Sequence, residues 1–119
     1  MTKIQNSKHY DLEERTFLFA RQVCTFVNKL PKTIPNIENG KQLVRSAGSV
    51  GANYIEANEA LSKKDFNMRI KISRKEAKES RYWLRLLDVP EALEDERSLL
   101  INESDQLMKI FSSIMRKSV

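Results

Sequence analysis

The chain has 119 residues, a formal net charge of +5, three Gly, three Pro and one Cys. This length implies one domain with a small core, and so few chain breakers beside 31% charged residues point to helices and short loops. The single Cys24 excludes an internal disulfide and a cysteine-only zinc site. No run approaches the roughly 20 apolar residues of a membrane span, and the N-terminus lacks the apolar run of a signal peptide, so a soluble cytoplasmic protein is expected.

Residues 1–10 read as a polar N-terminal tail, and residues 11–119 as a helical bundle. The first helix is expected from about Asp11 to Leu30, with Asp11 and Glu14 spaced as a capping box. It carries two apolar rows. Phe17, Ala20, Cys24 and Val27 form one, which makes Cys24 a buried structural thiol; Phe19, Val23, Phe26 and Leu30 form the other. Pro31 and Pro35 then make the loop. The second helix is expected over Ile37 to Leu61. Leu43, Ala47, Val50, Tyr54, Ala57 and Leu61 step by four and three as a heptad seam, and Val44, Gly48, Gly51, Ile55 and Asn58 repeat the step one residue later. Glycine costs about 1 kcal/mol in a helix, so Gly48 and Gly51 predict close approach of a neighbouring helix.

The third helix is expected from a Ser62 N-cap to Asp88, with Asp65 complementing the dipole. Phe66, Ile70, Ser73, Ala77, Ser80, Leu84 and Leu87 give its seam. Met68, Ile72, Trp83 and Leu86 lie on another face. Pro90 closes the segment. The fourth helix, about Glu94 to Lys117, has Leu100, Leu107, Phe111 and Ile114 as its seam and Ile101, Met108 and Met115 as a second row. Four such helices with short loops predict an all-α, antiparallel up-and-down four-helix bundle. A second apolar row on every helix predicts contacts between subunits, with Met68, Ile72 and Trp83 as the interface residues.

Charge is concentrated on the third helix. Between Ser62 and Asp88 nine basic residues face four acidic ones, whereas the rest of the chain carries 12 of each. Lys64, Lys71, Arg74, Lys75, Lys78, Arg81 and Arg85 fall within about 120° of arc and form a ridge roughly 30 Å long. Acids are almost absent from the arc, although an ordinary solvated face mixes signs. Such a ridge suits a polyanion. Tyr82 is the only aromatic interleaved with it, so phosphate contact without sequence readout fits better than base stacking.

Catalytic constellations are missing. The only histidine, His9, lies in the polar N-terminal stretch, and no Glu-x-x-His pair exists for a carboxylate di-metal site. Glu56 and Glu59 share the polar side of the second helix and read as a solvated face or structural ion pair. Gly48-Ser49-Val50-Gly51 lacks the Lys–Ser/Thr spacing of a phosphate loop and lies in a helical pattern. Neither an enzyme nor a cofactor is expected.

The run from Gln42 to Ala57, QLVRSAGSVGANYIEA, with Asp65-Phe66 and the later Glu76-Ala77-Lys78-Glu79-Ser80-Arg81-Tyr82-Trp83-Leu84, resembles the bacterial four-helix-bundle proteins encoded in intervening sequences of 23S ribosomal RNA genes. That family is similar to the accessory variability determinant protein of diversity-generating retroelements. The resemblance covers about residues 12 to 116; Ala57 departs from the Gly that many members carry there. It implies an up-and-down bundle assembled as a homopentameric ring, and no enzymatic activity. For the retroelement relatives it implies nucleic-acid binding and association with a reverse transcriptase. No catalytic residues transfer, and Arg45, Ser46, Asn53 and Glu56 read as polar groups able to bond an adjacent helix. The expectation is therefore a non-enzymatic oligomer that binds RNA or DNA through the ridge. The alternative is an adaptor or structural ring whose basic face meets an acidic protein.

Overall fold

The computed structural model describes the backbone of residues 3–118 and the side chains of residues 12–117. Four long helices follow one another: α1 (Lys3–Asn28), α2 (Ile34–Asn58), α3 (Lys63–Leu86) and α4 (Glu94–Ser118), with a 3₁₀ turn at Glu91–Leu93 before the last. Among the described residues there is no strand. Consecutive helices pack side by side, and α1 also meets α4, giving the four-helix bundle that the seams predict.

The helix ends have local causes. Thr33 caps α2 by accepting from the Asn36 N–H at 3.2 Å. Pro35 lies in the first turn of that helix rather than in the loop before it, where its missing N–H costs nothing. Ser62 caps α3 by accepting from the Asp65 N–H at 3.0 Å, as expected. The other end of α3 is tied down by two residues the sequence reading overlooked. The buried Asn36 side chain donates to the carbonyls of Pro31 and Asp88 and accepts from the Asp88 N–H at 2.9 Å. Arg97 donates to the carbonyls of Leu84 and Leu87, at 3.2 and 2.8 Å, while paired with Glu94 at 2.6 Å. Carbonyls at a helix C-terminus have no partner within the helix, and a cation satisfies them well.

The core is built from one seam per helix: Leu12, Phe19, Val23 and Phe26 from α1 with Leu30 just past its end, Leu43, Ala47, Val50, Tyr54 and Ala57 from α2, Ile70, Ala77 and Leu84 from α3 with Leu87 just past its end, and Leu100, Leu107 and Phe111 from α4. Four expectations need correction. First, α1 begins at Lys3, so the stretch read as a tail continues the helix; the side chains of His9 and Asp11 lie outside the described residues. Second, Cys24 is exposed. The neighbouring Phe19–Leu30 row fills the core, so the Cys24 row lies at its edge: Phe17 is 54% exposed, while Ala20 and Val27 are half-buried against the core. Third, Leu61 lies beyond the end of α2 and is fully exposed.

The fourth concerns the glycines. A Cβ on Gly51 would sit 2.8 Å from Thr16 Oγ1 on α1, so close packing does require glycine there. A Cβ on Gly48 would meet nothing within 4 Å, so no such contact explains it. Gly40, three turns from Gly51 on the same face, is the second close approach: its Cβ would lie 3.1 Å from Val27.

Between α2 and α3 the small residues carry a polar seam. The Ser46 and Ser80 hydroxyls are 2.8 Å apart, and Ser73 donates to the Val50 carbonyl at 2.9 Å. Arg45 reaches Glu76 and Glu79 at 3.3 and 3.1 Å, and Arg69 donates to Asn53 Oδ1 at 3.0 Å. Three residues of the Arg-Ser…Asn…Glu motif therefore join two helices. The fourth, Glu56, is exposed, as is Glu59. Ion pairs Arg15–Glu103 and Lys29–Glu96, at 2.6 and 3.0 Å, link α1 to α4. The hydrogen bonds that Arg15 donates to the Glu103 carboxylate hold its guanidinium pKa above its ordinary value.

Candidate nucleic-acid interface

The buried side of α3 fixes where its basic side points. Ile70, Ser73, Ala77, Ser80 and Leu84 face the core, which turns Lys64, Lys71, Lys75, Lys78 and Arg85 to solvent, and all five are exposed. None of the five has an ion-pair or hydrogen-bond partner among the described residues. Arg74 and Arg81 belong to the same arc but lean onto α4. Arg81 pairs with Asp105 at 2.7 Å, and Arg74 donates to Ser112 at 3.4 Å. Five of the seven expected ridge residues are thus free cations, and two are shared with the packing of α4.

On the acidic side of the account, Glu76 and Glu79 point across to Arg45. They neutralise an α2 cation and leave the five free ridge cations unopposed. α4 adds Arg116, which lies one turn beyond Ser112, is exposed, and shares a groove with Lys64, Lys71 and Arg74. A pattern confined to one helix does not contain it; Ser112 and Arg116, spaced four apart, are the signal the sequence carries.

The three expected interface residues separate. Met68 is 49% exposed and lines the groove between α3 and α4. Trp83 is half-buried and packs against the subunit core, edge-on to Tyr82 with ring centroids 5.0 Å apart. Its Nε1 is buried without a hydrogen-bond partner. Ile72 is half-buried. A second apolar surface lies elsewhere, on the outer side of α1 and α2: Phe17, Val44 and Ile55 are 54%, 37% and 48% exposed.

Among the described residues, no group of three His, Cys, Asp or Glu could hold a metal ion, and no helix is long and apolar enough to cross a membrane.

Comparison with known proteins agrees with this architecture. A crystal structure of a protein of unknown function from the S23 ribosomal protein family of Bacteroides thetaiotaomicron superposes with a TM-score of 0.78 at 28% identity, over 92% of this chain and 98% of that one. No curated protein matches. The family model of the 23S rRNA-intervening sequence proteins matches residues 8–113, and the chain belongs to that family.

Proposed function

We propose that the protein is a non-enzymatic, oligomeric module that binds nucleic acid through phosphate contacts along α3. One observation carries the reading. Lys64, Lys71, Lys75, Lys78 and Arg85 project from one helix face with no acid to meet them, while Arg15, Arg45, Arg81 and Arg97 are all ion-paired. Each phosphate neutralised by such a cation releases condensed counterion, so affinity is expected to fall steeply with salt and to vary little with sequence.

Self-association would multiply the ridge. A ring needs two different faces that meet head to tail. The exposed apolar surface of α1 and α2 and the Ile72–Leu86 side of α3 are candidates for those faces. The homopentamer that the resemblance implies would be built in this way. A reverse transcriptase partner is relevant where one is encoded beside this gene. An acidic protein surface is the rival ligand for the same cations.

The test is charge reversal. Lys71, Lys75 and Lys78 changed together to Glu should abolish binding in gel-shift titrations. Arg81 is left alone because its reversal would set a carboxylate beside Asp105. A control with Lys8, Arg21 and Lys32 changed to Glu alters net charge equally and should bind nearly as the parent does. Equal losses would show a general cationic effect, and no shift of the parent at low salt would favour the acidic-protein reading. Sedimentation giving a particle of about one 13.9 kDa chain at micromolar concentration would refute the ring.

A further inference from the structure

We infer that the groove between α3 and α4 receives an unstacked nucleotide, so that the strand bound along the ridge is single. This rests on the proposed reading of the ridge and goes beyond it. The groove encloses about 510 Å³ and is open to solvent. Lys64, Lys71, Arg74 and Arg116 line it together with Met68 and Met115. Four cations with two thioethers are more than a phosphate clamp needs. A phosphate track calls for charge alone, and the apolar surface that Met68 and Met115 add among the cations offers contact to something flat and apolar carried by the same anion.

A nucleotide has that chemistry: a phosphate for the cations and a base face for the methionines, whose flexible, polarizable side chains adapt to aromatic surfaces. In a duplex the base faces are stacked on one another, so a duplex offers its phosphates and base edges but no base face. A single strand can turn a base out into the groove. Met68, at 49% exposure, is accessible to it. Arg74 is positioned by Ser112 of α4, at 3.4 Å.

The prediction runs against simple electrostatics, which makes it discriminating. Duplex DNA has the higher charge density and the steeper counterion release, so a ridge acting by charge alone favours duplex. Fluorescence anisotropy with a labelled DNA oligonucleotide, its RNA equivalent, and the same DNA strand annealed to its complement compares the two. The expected result is single-strand binding about tenfold tighter than duplex at equal salt, with DNA and RNA strands alike in this. Met68→Ala should remove most of that preference while leaving duplex affinity unchanged. Met68 is not part of the buried core, so this variant should fold; Met115→Ala, at a residue packed against the core, serves as a second variant once its circular dichroism matches the parent.

Duplex binding equal to or tighter than single-strand binding would overturn the groove and leave the ridge standing. So would a Met68→Ala variant that keeps the preference or weakens both probes equally. Absence of binding to every probe at low salt would overturn the ridge itself.

Discussion

Replacing Gly48 with Ala should stabilise this protein, and replacing Gly51 with Ala should not. Both lie inside α2, where Gly costs about 1 kcal/mol relative to Ala. A Cβ at Gly48 has no neighbour within 4 Å, so Gly48→Ala should show the full gain. At Gly51 the new carbon would sit 2.8 Å from Thr16 Oγ1 and 3.2 Å from Thr16 Cβ. Thr16 is buried, its hydroxyl donates to the Glu13 carbonyl at 3.0 Å, and a β-branched side chain in a helix has few rotamers to escape into. Relief requires breaking that bond or moving α1 from α2. Overpacking of this kind costs about 1–3 kcal/mol. Set against the propensity gain, the net effect at Gly51 is a loss of between nothing and about 2 kcal/mol.

The two variants should therefore differ by about 1–3 kcal/mol, although the substitution is the same and the sites are three residues apart in one helix. At this chain length 1 kcal/mol corresponds to a melting shift of several degrees, about 3–6 °C. Denaturation followed by circular dichroism at one fixed protein concentration measures it, because the proposed self-association would make the melt concentration-dependent. Thr16→Ala removes Oγ1 and should couple with Gly51→Ala by about 1 kcal/mol in a double-mutant cycle. It should not couple with Gly48→Ala. A Gly51→Ala protein as stable as Gly48→Ala, or no coupling to Thr16, would refute the assignment of Gly51 to the α1 contact.

Trp83→Phe removes an indole N–H that is buried without a partner. An orphaned donor costs about 1–3 kcal/mol, which offsets the lost apolar area, so stability should change by less than about 1 kcal/mol. A loss above about 2 kcal/mol in a denaturant titration would mean that the indole is bonded in solution, across a subunit contact for instance. Burial raises the pKa of Tyr54 above its ordinary 10.0, so its neutral form favours folding. That contribution is complete below the ordinary value and is lost as pH rises through the folded-state value. Alkaline unfolding should therefore be shallower in Tyr54→Phe, and identical profiles for the two proteins would contradict this. Lys71 has Arg74 and Lys75 three and four residues on, and no acid at the matching positions behind it. Like charges so spaced repel by about 0.2–0.5 kcal/mol per pair, so Lys71→Gln should be slightly stabilising at low salt and neutral at high salt; a destabilised variant would show that Lys71 supports the fold.

The bundle was legible because each helix contains a complete seam, and a seam of Leu, Ile, Val and Phe at steps of three and four has few other uses. α1 was harder. Its two rows have the same spacing, and periodicity alone cannot say which one faces the core. The choice falls to bulk: Phe19 and Phe26 fill a centre that Ala20 and Cys24 cannot. Glycine shows the same limit. Gly48 and Gly51 look alike in the chain, yet one lies against Thr16 and the other in open space. The companion close approach is at Gly40, which shares Gly51's face. The ridge was legible as charge, but its extent was not. Arg74 and Arg81 needed Ser112 and Asp105 of α4 to turn them aside, and Arg116 joins from a helix whose own sequence carries no basic run. Contacts between helices distant in sequence decide all of these, and no single-helix pattern contains them.

The division of labour between the two kinds of cation favours a functional ridge over a solvated coat. Six of the arginines with described side chains make hydrogen bonds to other groups: Arg15, Arg45, Arg69, Arg74, Arg81 and Arg97. Their planar forks hold helices together and close a helix end, which is work suited to a rigid, multidentate donor. The ridge instead takes lysine at four of its five free positions. Lysine is a hydrated point charge on a flexible stem, poor at fixing geometry and well suited to following a mobile phosphate chain. Those four lysines stabilise nothing described in the fold, and their mutual repulsion opposes it. A face serving only solubility would lose that repulsion by mixing in acids. Glu76 and Glu79, the acids near enough to do so, are bonded to Arg45 instead. The positive charge is thus kept uncompensated where a ligand can reach it, and a polyanion is the ligand that would relieve it.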